Sequence, residues 1–307
     1  FQRKTVRLGV EIDARGMFTD EIKDLTVSLT DGDKPALQKG VFDLKTGLLV
    51  EGSTEYFTPS YNIENFSNVD PFYKDRKIAY FYTAVPGITT FTANLKALAI
   101  SLHDEPGKTN TFQSLNAQFP FTIPEDNNDL GYKYLARIDL IESPIIVDDP
   151  SVAHIKWARG NLVYIGDDFV NNYRFRSQNH GKYTDRNHDY FRFLDSKPGG
   201  YSIVIIGEFL NNTDGLDPCT FVHPRSTWVT ASKEQWQALS NITSSIRTIV
   251  AGNYVEYKGI STNVGSPYPS KNLYITANGW EQKGLTGLIY YADPKAGFYW
   301  SSTFDSK

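Results

Sequence analysis

Apolar and polar residues alternate with a period of two through most of the first half of the chain. Residues 5–12 set Val6, Leu8, Val10 and Ile12 against Arg7, Gly9 and Glu11, the period of a half-buried strand. Residues 25–29 repeat the pattern and stop at the turn Asp31-Gly32-Asp33. Val41-Phe42-Asp43-Leu44, Thr46-Gly47 and Leu48-Leu49-Val50 predict a hairpin. Residues 56–74 are polar and aromatic without a period, which predicts a long loop. Residues 77–85 and 89–103 are long β-prone runs. The second changes phase toward Ile100 and Leu102, the mark of a bulge. Residues 118–123 and 133–141 complete this set.

The second half has a different texture. Residues 143–149, followed by Pro150, read as a linker. All five tryptophans lie beyond it, at positions 157, 228, 236, 280 and 300. That asymmetry predicts a boundary near 145–150, giving domains over 1–145 and 146–307. Strands are expected at 153–157 and 161–165, a polar, aromatic and basic insertion at 173–195, and a fully apolar central strand at 201–209. Residues 217–239 read as loop, short strand and helix. Ser232 and Gln235 make a capping box, and Trp236, Leu239, Ile242 and Ile246 follow at helical spacing, so one capped helix is expected over 232–246. Short strands are expected at 248–250, 253–257, 273–277 and 288–290. The whole predicts a mainly β protein with some α, opening on an antiparallel β-sandwich with Greek-key connections.

Composition narrows the function classes. The chain has 307 residues, with 31 Lys and Arg against 35 Asp and Glu. That balance gives no electrostatic ground for nucleic acid or an anionic membrane as partner. No apolar run reaches the roughly 20 residues of a membrane-spanning helix. The first residue is Phe1, so a preceding piece, such as a targeting peptide, is expected to have been removed. The single cysteine, Cys219, excludes an internal disulfide and reads as a small buried hydrophobe beside a turn. His223 lies four residues on, but no cluster of cations stands near to make a catalytic thiolate.

Three blocks carry a resemblance. They are Ile155-Lys156-Trp157-Ala158-Arg159-Gly160-Asn161-Leu162; Asp217-Pro218-Cys219 with Thr227-Trp228 and the capped helix; and Gly297-Phe298-Tyr299-Trp300-Ser301-Ser302-Thr303. Together they resemble the major paralogous domain of Fibrobacter-type surface proteins, although Trp228 is followed by Val-Thr-Ala-Ser and not by that family's Arg-x-Pro-Thr. The resemblance implies a C-type-lectin-like α+β fold for the second domain, and a family pattern that continues beyond residue 307. Residues 130–140, Leu-Gly-Tyr-Lys-Tyr-Leu-Ala-Arg-Ile-Asp-Leu, are similar to the closing strand of the N-terminal domain of fimbrillins, the pilins of Bacteroides-type bacteria. Residues 5–29 are similar to their first two strands. This second likeness implies a transthyretin-like sandwich, export to the cell surface, outer-membrane association, and assembly with other fimbrial subunits by β-strand addition.

Candidate chemistry is sparse. His180, Asp185, His188 and Asp189 share one loop and have metal-ligand chemistry, but scattered loop residues read as solvated, so no metal and no cofactor is expected. The lone cysteine argues against the formylglycine-generating activity found on the related fold, and no phosphate loop or nucleophile elbow is present. No catalytic residue is assigned, and the chain is read as a non-enzyme. Aromatic and basic residues interleave at Tyr173-Arg174-Phe175-Arg176 and from Tyr183 to Phe193. On a surface protein this is the composition of a recognition loop. On its flanks Tyr173, Phe175, Phe191 and Phe193 read as inward-facing strand residues with the arginines in water, and residues 178–190 fit either reading. Tyr183, Arg186, His188, Tyr190 and Trp280 are the expected ligand contacts, while Trp228, Trp236 and Trp300 are expected in the core. The resulting expectation is a fimbrial tip or accessory adhesin with a surface glycan or protein as ligand. The alternative is a secreted glycan-binding module or glycan-active enzyme with no fimbrial role.

Overall fold

The computed structural model describes residues 5–17, 19–32, 34–84, 89–103, 107–112, 115–124, 133–166, 171–176, 191, 196–198, 215–243, 245–250, 254–260, 272–276, 280–283 and 289–292. At 110, 250, 276, 280–283 and 289–292 only the backbone is described. The protein is mainly β, built from several antiparallel sheets. Its main division falls between Leu140 and Ile141, separating two compact units.

The first unit contains β1 (Val6–Gly16), β2 (Ile22–Asp31), β3 (Lys34–Pro35), β4 (Leu37–Lys39), β5 (Glu55–Phe57), β6 (Ser60–Asn62), β7 (Ser67–Asn68), β8 (Arg76–Thr83), β9 (Thr90–Ser101), β10 (Thr109–Phe112), β11 (Ala117–Thr122) and β12 (Lys133–Ile141). One sheet has the order β12-β1-β8-β7. A second has the order β10-β9-β2-β3, with β11 also on β9 and β6 also on β2, and β4 pairs with β5 in a third. Alternation sends Val6, Leu8, Val10 and Ile12 to one face of β1, beside Ala79 and Phe81 of β8 and Ala136 and Ile138 of β12; all are buried. Leu25, Val27, Leu29, Phe91 and Ala93 are the buried counterparts on the second sheet. Rings tie the sheets together. Tyr61 of β6 stacks on Phe81 of β8 with centroids 4.1 Å apart, and Phe91 of β9 meets Tyr134 of β12 edge-on at 6.1 Å.

The first strand departs from expectation. It is not half-buried: Glu11 and Asp13, on its polar face, are 2% and 0% exposed. Cations make this possible. Arg137 of β12 pairs with Glu11, Nε to Oε1 at 3.2 Å, and Arg15 forks onto both oxygens of Asp13 at 2.9 and 3.0 Å from its Nε. The segment expected as a long loop, 56–74, contains β6, β7, most of β5 and a 3₁₀ turn at Ile63–Asn65 closed by a capping box from Asn62. These pieces are two or three residues long, too short to show a period. The register between β2 and β9 shifts twice: at Lys23, skipped between the pairs Ile22–Ile100 and Asp24–Ala99, where the phase change marks it, and again at Lys96, skipped between Thr26–Ala97 and Val27–Leu95. The expected hairpin forms around the bridge of Phe42 and Leu49.

The second unit contains β13 (Leu162–Tyr164), β14 (Tyr173–Phe175), α1 (Lys233–Ser240), β15 (Arg247–Val250), β16 (Tyr254–Tyr257), β17 (Leu273–Thr276), β18 (Trp280–Lys283) and β19 (Ile289–Ala292). Sheets pair β13 with β14, β15-β16-β17 in that order, and β18 with β19. The expected linker is core: Ile145 and Val147 pack with Val152, Ile155, Trp157, Leu239, Ile242, Tyr257 and Leu273. Ile145 bridges Trp157 and Val147 bridges Gly259. Residues 153–157 form turns ending at that Trp157 bridge, not a strand. The helix keeps the expected cap, with Ser232 accepting the Gln235 N–H and Gln235 reaching back to Ser232 N–H at 2.8 Å. It ends at Ser240, six residues before Ile246, because Asn241 closes it and the chain turns; Ile242 and Ile246 still reach the same core from the turn. The expected strand at 201–209 lies outside the described residues.

Phe81 is fully buried and stacked, so Phe81→Ala is expected to cost the first unit about 3–5 kcal/mol. Urea unfolding followed by circular dichroism measures it; a loss under about 1 kcal/mol would mean that the Phe81 environment described here is wrong.

Candidate functional site

The stretch 217–239 is organised by one carboxylate. Asp217 Oδ1 accepts the Cys219 N–H at 2.9 Å and the Thr230 hydroxyl at 2.8 Å, and Oδ2 accepts the Thr230 N–H at 2.8 Å. It thereby caps the 3₁₀ turn Pro218–Phe221 and pins the lead into α1 to it. No strand intervenes, contrary to expectation, because 222–232 run through turns and irregular backbone closed locally by Ser226 and Thr227 N–H groups. The Cys219 thiol sits inside this knot with the Thr230 hydroxyl 3.6 Å from its sulfur. Burial pushes it up to about 12, ahead of the opposing hydrogen bond from Thr230. Cys219 is half-buried and not fully buried as expected, and the raised pKa keeps it a thiol at neutral pH.

Aromatic rings gather beside the knot. Tyr173 stacks on Phe221 at 5.0 Å and leans on Tyr164 at 5.1 Å, and Phe175 meets Trp228 edge-on at 5.0 Å. Trp236 packs against Trp157 at 5.3 Å. Trp228 and Trp236 are thus engaged in packing. The arginine between the strand aromatics does not face water as alternation suggests. Arg174 is 4% exposed and its Nε donates to Asn171 O at 3.2 Å, because β14 is covered on both faces. Gly160 lies so close to β14 that a Cβ there would stand 2.2 Å from the Arg176 carbonyl oxygen.

The expected contact residues are not brought together by the described part of the chain. Tyr183, Arg186, His188 and Tyr190 lie outside it, as do His180, Asp185, Asp189 and Trp300. Trp280 begins β18 opposite Ala292, and its side chain lies outside the description.

A different constellation stands on the sheet β15-β16-β17. Tyr257 and Leu273 belong to the core, with Val255 and Ile275 packed against it. Alternation therefore turns Tyr254 and Glu256 of β16 and Tyr274 of β17 to the opposite face. Thr248, Glu256 and Tyr274 form one rung across the three strands. Glu256 Oε1 accepts from the Tyr274 hydroxyl at 3.0 Å and from Asn272 Nδ2 at 2.5 Å. Asn272 is itself oriented by the Gly259 N–H, which donates to its Oδ1 at 3.2 Å. Tyr254 meets Tyr274 edge-on at 5.2 Å. Tyr254, Glu256, Asn272 and Tyr274 are all half-buried, and Thr248 is exposed. Glu256 Oε2 accepts no hydrogen bond among the described residues. The face thus offers two aromatic rings, an oriented carboxylate with an open oxygen, a hydroxyl and an amide. These are the groups that hold a ring carrying vicinal hydroxyls: stacking on its C–H face and charge-assisted bonds to its oxygens. Sequence reading passed over them. The available signal was Tyr254-x-Glu256 alternating with Val255-x-Tyr257, but which set faces outward depends on where α1 packs.

Comparison of the chain with protein-family models, with curated proteins and with solved structures returns no match.

The thiol gives a pH prediction. Its folded pKa lies near 12 against an ordinary value of 9.0, so the folded state holds the proton more tightly. The resulting stabilisation is complete below pH 9 and is lost as pH rises through 9 toward 12. Iodoacetamide at pH 8 is expected to leave native Cys219 unlabelled over hours and to label it within minutes in denaturing urea. Fast native labelling would show a thiol more open than this.

Proposed function

We propose that the protein is a non-enzymatic surface adhesin that binds a glycan through its second unit. The observation that carries this reading is one sheet face on which Asn272 and Tyr274 donate hydrogen bonds to Glu256 and Tyr254 meets Tyr274 edge-on. A preorganised polar-aromatic face loses little entropy on binding, which suits a shallow receptor for sugars. Among the described residues Glu256 is the carboxylate of that face, and in this reading it is a binding group that accepts from sugar hydroxyls. In this reading the first unit is an antiparallel β-sandwich and the second a lectin-like α+β domain. Export to the cell surface and incorporation into a fimbria follow from the sequence resemblances, and assembly would run by strand addition. The nine-residue β12, at the edge of its sheet among the described residues, supports that route.

A glycan array tests the reading with the full chain. Wild-type protein is expected to retain a defined set of glycans. Tyr274→Ala and Glu256→Gln are each expected to weaken retention at least tenfold, about 1.4 kcal/mol, with the unfolding midpoint held within a few degrees. Retention of no glycan by the wild type, or equal retention by both variants, would remove the assignment.

A further inference from the structure

Lys77 stands at a position of β8 that alternation reserves for an apolar side chain. Ala79, Phe81 and Thr83 share its face and are 1%, 0% and 1% exposed; Lys77 is 9% exposed. Across the sheet it is flanked by Ile12 of β1, which is fully buried, and by Asn68 of β7. Its Nζ donates to Asn68 Oδ1 at 2.6 Å. With a C=O bond of about 1.23 Å, Nζ then lies within about 4 Å of Asn68 Cγ, near the separation of about 3–3.5 Å from which bonds form.

The surroundings make the amine easier to deprotonate. Burial draws the Lys77 pKa down; the charge of Glu21 opposes this, while the ammonium groups of Lys74 and Lys23 add to it. Glu21 is held ionised, first by its hydrogen bond from Lys23 and further by the charges of Lys23, Lys74 and Lys77. One rung therefore carries an amine nucleophile and a side-chain amide carbonyl, in the field of the Glu21 carboxylate.

We propose that Lys77 and Asn68 condense into an intramolecular isopeptide bond that joins β7 covalently to β8. The Nζ lone pair attacks Cγ, and the carbonyl electron pair moves onto Oδ1. With both nitrogens bonded to the tetrahedral Cγ, a proton passes from Nζ to Nδ2. The Cγ–Nδ2 bond breaks, the carbonyl re-forms and ammonia leaves. One amide replaces another, so no oxidant, reductant or cofactor is required. The bond would fasten β7, a strand of only two residues, to the sheet edge it occupies.

Intact mass spectrometry of the full chain tests this. The wild type is expected to be lighter than its sequence by one ammonia, about 17 Da. Tandem spectra of its digest should contain a branched peptide linking the segments around Asn68 and Lys77. Lys77→Arg and Asn68→Ala should each return to the sequence mass. A succinimide at Asn278-Gly279 would give the same mass loss, but in a linear peptide and in both variants. Wild-type protein at its sequence mass, or a loss of ammonia without the branched peptide, would overturn the proposal. Because the branched peptide is sought in the wild type, the answer does not depend on either variant folding.

Discussion

Burying two carboxylates on the polar face of β1 constrains the whole first unit. Glu11 and Asp13 cannot leave water without cations at hand, since an unpaired buried charge costs several kcal/mol. Arg15 answers Asp13 from two residues along the same strand, so that pair forms locally. Glu11 must wait for Arg137, which arrives only when β12 docks beside β1. The last strand of the unit thus completes the first. Apolar burial alone would tolerate β12 sliding along its neighbour; the ion pair specifies where it stops.

Much of this architecture was legible in the sequence wherever one face meets water and the other meets core. β2, β8, β11 and β12 show alternation, and their bounds follow within a few residues. What escaped did so for identifiable reasons. β5, β6 and β7 are too short for any period. The polar side of β1 looks solvent-facing because a sequence does not show which cation will cover Glu11. Ile145 and Val147 alternate like a strand but sit among prolines and aspartates that read as a connector. The apolar stripe Trp236, Leu239, Ile242 and Ile246 continues beyond the end of α1, so helical spacing alone could not locate that end.

The candidate site was less legible than the fold. Its residues are common strand residues, and their meaning depends on sidedness. Tyr257 and Leu273 meet the core, and only for that reason do Tyr254, Glu256 and Tyr274 face away from it. The sequence signals that stand out first, among the described residues Trp157, Trp228, Trp236 and Cys219, are engaged in packing. Trp157 and Trp236 pack on one another, and Cys219 lies within the knot tied by Asp217. A residue rich in binding chemistry is often taken up by the core, whereas ordinary tyrosines on a well-supported strand remain available.

The bridge between Val147 and Gly259 has a consequence for how the chain is made. The core of the second unit draws on Ile145 and Val147 at its start and on Tyr257 and Leu273 near its end. The eight-residue α1 is far shorter than the ~12–15 residues a helix needs to persist alone in water, so it cannot hold the intervening chain in place. At a synthesis rate of about 5–20 residues per second, Tyr257 and Leu273 follow Ile145 and Val147 only after several seconds. During that interval Ile145 and Val147 have only the nearby Val152, Ile155 and Trp157 of their core to pack against.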